Sequence, residues 1–232
     1  MKNKLLKSIN LLLIILVVGS YFSLKDIDDS NITYVSNNTK TVEKVQNNTI
    51  DIKSLRNQYH NNDIVAYIEI DGVLGTIVLQ SNNNEYYLNH TVNKKYDVKG
   101  SVILDYRNNI NDRKILLYGH SGKEKDLPFL NLNNYVHEDY YKKHDTIKLY
   151  TLNGLKKYKI FSSYIEREDF DYVNLNSFNG LTYLEHLNKL KNKSLYDTGI
   201  SLNENDKVII LQTCSMNDIG YQKYNLVIGK EY

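Results

Sequence analysis

Beyond residue 49 the apolar positions fall mostly in short alternating runs. Val65, Tyr67 and Glu69 alternate with Ala66, Ile68 and Ile70, the period-two pattern of a strand with one face buried. Asp71-Gly72 then turns the chain into a second apolar run over residues 76–79, so the pair reads as a hairpin. Further strand-like runs cover residues 101–106, 114–118, 146–152, 156–164, 207–212 and 224–228, and Asn153-Gly154 joins the fifth and sixth strands as a tight turn. Two segments keep helical spacing instead. Ile52, Leu55 and Tyr59 mark a short helix over residues 50–59, with Thr49 as its N-cap. Leu181, Leu184, Leu187 and Leu190 mark a longer helix that ends near Lys193. Eight short strands with few helices predict a mainly β fold, a closed or nearly closed barrel with helical insertions.

The N-terminus has a different pattern. Lys2, Lys4 and Lys7 precede an apolar stretch over residues 9–24 whose one strongly polar residue is Asn10, and Asp26, Asp28 and Asp29 follow Lys25. Basic before and acidic after is the positive-inside arrangement, which places the body outside the cytoplasm. The stretch is short of the roughly 20 residues of a full span, and snorkelling of Lys7 and Lys25 lengthens it. Residues 1–25 therefore read as a single-pass membrane anchor or, alternatively, as a signal peptide, for which Gly19-Ser20-Tyr21-Phe22 is a poor cleavage site. Residues 26–48, rich in Asn, Thr and Ser, read as a polar stalk.

Composition narrows the chemistry. The 232 residues are 41% hydrophobic, enough for a packed core. The balance of 29 Lys and Arg against 27 Asp and Glu gives no electrostatic reason to expect a nucleic-acid partner. A single cysteine excludes an internal disulfide and a cysteine-based zinc site. The six histidines lack ligand spacing, and Glu168, Asp169 and Asp171 are too sparse for a calcium loop, so neither metal nor cofactor is expected.

Cys214 closes the apolar run of residues 208–213 and precedes a polar loop, which places its thiol where core meets surface. It is either a structural thiol or a nucleophile. Outside the cytoplasm a spare thiol risks oxidation, which favours the nucleophile. A thiol titrating near ~8.5 needs a basic neighbour at neutral pH. His60, His137, His144 and His186 read as solvated surface, and His90 is ambiguous. His120 ends the run Ile115-Leu116-Leu117-Tyr118 through Gly119 and opens a glycine-containing loop, so it sits at a strand end as Cys214 does. If the two strands are neighbours, both side chains share one rim.

Leu117-Tyr118-Gly119-His120 followed by Ile210-Leu211-Gln212-Thr213-Cys214 resembles the sortases, cysteine transpeptidases of Gram-positive surfaces whose cysteine motif reads T-L-x-T-C. The run from Asp63 through Ile64, Val65 and Ala66 to Gly72, the run Tyr86-Tyr87-Leu88-Asn89, and Gly100-Ser101-Val102-Ile103-Leu104-Asp105-Tyr106-Arg107-Asn108 resemble class B in particular. The resemblance implies an eight-stranded sortase-type β-barrel with an N-terminal helix and a long helix before the last two strands, making residues 49–232 the catalytic domain. It further implies that Cys214 attacks the Thr carbonyl of a secreted protein's sorting signal, of the NPxTG or NPQTN kind, and forms a thioester. His120 protonates the leaving amine, and a peptidoglycan peptide amine resolves the thioester. By family position Asn84, Leu88, Tyr172, Val173, Gln212 and Thr213 line the substrate groove. The family also places an essential Arg on the last strand, and Tyr224 occupies that position here. Lys223 next door and Arg107 are the other candidates for its role. A neutral phenol stabilises an oxyanion less than a charged donor does. The missing Arg leaves two alternatives open: a degenerate sortase fold that only binds peptides, or another thiol peptidase or acyltransferase of the wall.

Overall fold

The computed structural model describes residues 50–216 and 223–232. The anchor and stalk expected over residues 1–48 lie outside the described residues. Among the described residues no helix is long and apolar enough to cross a membrane. The elements, in chain order, are α1 (Ile52–Tyr59), β1 (Ile64–Ile70), β2 (Leu74–Leu79), β3 (Val102–Leu104), β4 (Lys114–Tyr118), α2 (Glu138–Lys143), β5 (Thr146–Thr151), β6 (Gly154–Glu166), α3 (Tyr183–Asn192), β7 (Val208–Cys214) and β8 (Tyr224–Glu231). The strands close into a barrel in the order β1-β2-β3-β4-β7-β8-β6-β5, as the eight strand-like runs predict.

The alternation in β1 has the expected result: Ala66, Ile68 and Ile70 are buried in the barrel, while Val65, Tyr67 and Glu69 are only half-buried. The barrel core adds Val78, Leu104, Leu117, Leu149, Ile160, Leu211 and Val227. A second apolar layer packs α3 onto the outside of β7 and β8 through Leu187, Leu190, Ile210 and Ile228. β6 runs past the expected 156–164 in both directions, and a register shift between Ile160 and Ser162 lets it follow β8 from Tyr158–Glu231 to Glu166–Tyr224. β3 stops at Leu104, shorter than expected, because Asp105 turns the chain.

Both helix starts differ from the sequence reading. Asp51, not Thr49, caps α1, with its carboxylate accepting from the Lys53 and Ser54 amides at 3.1 and 3.2 Å. α3 begins at Tyr183 behind a Thr182–Glu185 capping box, so Leu181 lies before the helix and is exposed. The inward face of α3 is Tyr183, His186, Leu187 and Leu190. His186 is therefore a buried residue and not the solvated one its polarity suggested: it is 1% exposed. Its Nε2 lies 2.6 Å from Nζ of Lys114, itself buried on β4, and Lys114 also donates to the Asn174 carbonyl at 2.6 Å. Burial pushes Lys114 down to about 7, and burial together with Lys114 pushes His186 down to about 3. His60 and His137 are exposed, as expected. His144 is half-buried, with Nδ1 2.7 Å from the Asp71 carbonyl. His90 stacks on Tyr86 at 4.2 Å.

The capping box joins α3 to its loop, so Thr182→Ala should cost about 1 kcal/mol and lower Tm by roughly 2–4 °C. Thermal melting checks this; Thr182→Ser, which keeps the hydroxyl, should melt close to the parent.

Candidate active site

β4 and β7 are adjacent and parallel, with Lys114 opposite Val208 and each following pair in step as far as Tyr118 opposite Gln212. The pairing extends past both strands. The Gly119 amide donates to the Gln212 carbonyl at 3.2 Å, and the Thr213 hydroxyl donates to the Gly119 carbonyl at 2.7 Å. His120 and Cys214, the next residues on either side, thus leave the barrel at one rim. Ser121 ties the two turns together, donating from Oγ to the Cys214 carbonyl at 2.5 Å. Gly119 is required where it stands, because a Cβ there would meet the buried Phe129 ring at 2.7 Å. Phe129 also donates its amide to the His120 carbonyl at 3.0 Å.

His120 and Cys214 line one cavity of about 360 Å³ with Asn84, Leu88, Ile103, Tyr118, Gly119, Gln212, Thr213 and Tyr224. Of the expected groove residues, Asn84, Leu88, Gln212 and Thr213 are in this lining. Tyr172 and Val173 are not; they pack behind it, in the apolar layer that includes Tyr118 and Tyr224. A larger hollow of about 600 Å³ beside β2 is lined by neither His120 nor Cys214.

Among the described residues no hydrogen bond joins His120 to Cys214. The ring is held instead by Leu88, whose carbonyl lies 2.8 Å from Nε2. A carbonyl only accepts, so the network assigns a proton to Nε2, and in the neutral ring Nδ1 is the basic nitrogen. Gly100, at φ +58, is what lets the neighbouring chain pass this close to Leu88, since a Cβ there would lie 2.2 Å from that same carbonyl oxygen. Cys214 reaches solvent at the rim, but protein packed around the sulfur pushes its thiol pKa up by desolvation. The thiol is therefore protonated at rest near neutral pH.

Tyr224 pairs with Cys214 across β7 and β8 and lines the cavity. Among the described residues its hydroxyl has no hydrogen-bond partner. Arg107 is committed elsewhere, donating to both carboxylate oxygens of Asp105 at 2.9 and 2.8 Å and to the Val173 carbonyl at 3.3 Å. Lys223, next to Tyr224, is half-buried.

Asp105 carries no sequence signal of its own as a site residue. Fully buried, it accepts from the Tyr118 hydroxyl at 2.7 Å and the Asn84 amide at 3.2 Å as well as from Arg107. Burial works against its ionisation, but the bonds from Arg107 and Tyr118 outweigh it and hold its pKa below the ordinary carboxylate value. Two cavity-lining side chains thus share one buried anion. The residues concerned lie 13 and 21 positions from Asp105, beyond any local pattern.

Residues 68–231 match the family described as a sortase domain. The chain is 29% identical over 209 residues to sortase B of Listeria monocytogenes, covering 87% of this chain and 81% of the relative. Among solved structures it is similar to Clostridium perfringens sortase B (TM-score 0.70, 30% identity, 78% of this chain and 98% of that one). It is also similar to the Staphylococcus aureus sortase B–substrate complex (TM-score 0.69, 28% identity, 78% and 84%).

The raised thiol pKa sets the pH dependence of alkylation. Iodoacetamide reacts with the thiolate, so its rate at Cys214 should rise about tenfold per pH unit from pH 6 to beyond ~8.5. Intact-mass kinetics checks this. A plateau below pH 7 would show a thiolate already formed at rest.

Proposed function

The chain belongs to the sortase family as a class B cysteine transpeptidase, and from that premise we propose that Cys214 and His120 cut and rejoin the backbone of a surface protein's sorting signal. The supporting observation is the β4–β7 register, which sets the two residues at the mouth of one cavity. In the proposed reaction the Cys214 sulfur passes its proton to the basic nitrogen of His120 as it attacks the Thr carbonyl. The C–N bond breaks as His120 supplies a proton to the departing amine, and a thioester remains. An amine of the peptidoglycan peptide then attacks that thioester, and the thiol is restored. The thioester keeps the free energy of the peptide bond it replaces, so no nucleotide is consumed.

Tyr224 serves as the oxyanion donor in place of the family's Arg. The support for this is its position in the cavity beside Cys214 and a hydroxyl without a partner among the described residues. Arg107 is bound to Asp105 and is the weaker candidate. A neutral donor gives a slower acylation than a guanidinium would. Asn84, Leu88, Gln212 and Thr213 contact the sorting signal, with NPxTG or NPQTN the motifs to try first, and Tyr172 and Val173 support the groove from behind. The enzyme works at the cell surface, with residues 1–25 as its membrane anchor, residues 26–48 as a stalk and residues 49–232 as the catalytic domain.

Incubation of the full chain with a panel of quenched sorting-signal peptides and a wall-like amine tests this reading. Cys214→Ala should give no product, and His120→Ala should lose about 10²-fold or more in kcat. Tyr224→Phe should lose about 10²-fold, the cost of one oxyanion donor, while Lys223→Ala stays near the parent. Peptide binding without turnover across the whole panel would point to a binding protein on a sortase fold. A silent Tyr224→Phe with an impaired Lys223→Ala would move the donor role to Lys223.

A further inference from the structure

Phe170 stands in an unusual backbone state. Its φ of 46° and ψ of 24° are left-handed, a region that a side chain with a Cβ adopts only when its surroundings enforce it. The surroundings do so by gripping the residues on both sides. Asp169 bonds Lys189 at 3.0 Å and Lys193 at 2.5 Å. Asp171 pairs with Lys189 and accepts from the Asn179 amide at 2.9 Å. Two carbonyls further along are each held by a side chain from outside the loop: Val173 by Arg107 at 3.3 Å and Asn174 by Lys114 at 2.6 Å. Arg107 is itself locked to Asp105, and Lys114 to His186. Five side chains from four separate parts of the chain thus hold one short loop.

This loop presents the Phe170 ring to Tyr224. The ring centroids are 5.9 Å apart with planes at 72°, an edge-on contact. The backbone of Tyr224 is already fixed, since β8 pairs it with Cys214 on one flank and Glu166 on the other. The direction of its ring is set by what packs against it, and that direction decides where the hydroxyl lies in the cavity. We propose that Phe170, held left-handed by the clamped 169–174 loop, is a positioning residue that aims the Tyr224 hydroxyl at the reacting carbonyl. The inference rests on the reading of Tyr224 as the oxyanion donor.

Phe170→Gly separates positioning from stability. Glycine adopts the left-handed state freely, so the loop backbone should persist and Tm should stay within a few degrees of the parent, while the aromatic edge is lost. In peptide cleavage by the full chain, kcat should fall about tenfold with KM little changed. Phe170→Tyr, which keeps the ring, should restore kcat. In a Tyr224→Ala background, Phe170→Gly should add less than about a twofold loss, because the residue it acts through is gone. A Phe170→Gly enzyme with the parent's kcat, or an equal loss in both backgrounds, would overturn the positioning role. Impaired Tyr224→Ala alongside unimpaired Phe170→Gly overturns that role alone, whereas a Tyr224→Ala enzyme with the parent's kcat overturns the oxyanion reading together with it.

Discussion

The parallel pairing of β4 with β7 is the constraint on which the site depends. More than ninety residues separate His120 from Cys214 along the chain, and no local motif can bring them together. The register from Lys114–Val208 to Tyr118–Gln212, continued by bonds through Gly119 and Thr213, makes their positions a consequence of sheet geometry. A one-residue slip of β7 against β4 would exchange the barrel-facing and α3-facing residues of the slipping strand and move Cys214 out of step with His120. Ile115, Leu117, Ile209 and Leu211 face the barrel core while Leu116 and Ile210 pack in the layer under α3, so both strands are buried on both faces.

Around that pair the protein uses buried polar groups to shape the cavity. Asp105 gathers Arg107, Tyr118 and Asn84 at one wall. Lys114 and His186 fasten α3 and the loop before it to β4. Burying a lysine against a histidine is costly for their charged forms, and burial is the leading cause of both lowered pKa values. Such groups are retained where they specify one arrangement, and here that arrangement is the loop behind Tyr118 and Tyr224.

Much of this was legible in the chain itself. The period of two in β1, the turn at Asp71-Gly72 and the two strand-end motifs carry local signals, and the barrel follows from them. The polarity of His186 points to solvent, but its place on the helix points inward: Tyr183, Leu187 and Leu190 bracket it at helical spacing. Thr49 and Asp51 are both capping types, and Asp51 is the cap because the helix starts at Ile52, directly after it. Asp105 and the partnership of Phe129 with Gly119 left no signal, because a buried network joins residues whose spacing has no period. Why Tyr172 and Val173 stand behind the cavity is likewise a matter of tertiary packing, decided by how the 169–174 loop is clamped.

The central claim is that Cys214 carries the acyl group between two amines. Intact-mass spectrometry of the full chain, quenched in acid after mixing with a sorting-signal peptide and no acceptor amine, tests it most directly. The account predicts an adduct equal to the peptide's acyl half, located on Cys214, removed by hydroxylamine and by an added wall-like amine, and missing from Cys214→Ala. Release of cleaved peptide with no such adduct at any quench time, or an adduct that persists in Cys214→Ala, would contradict it.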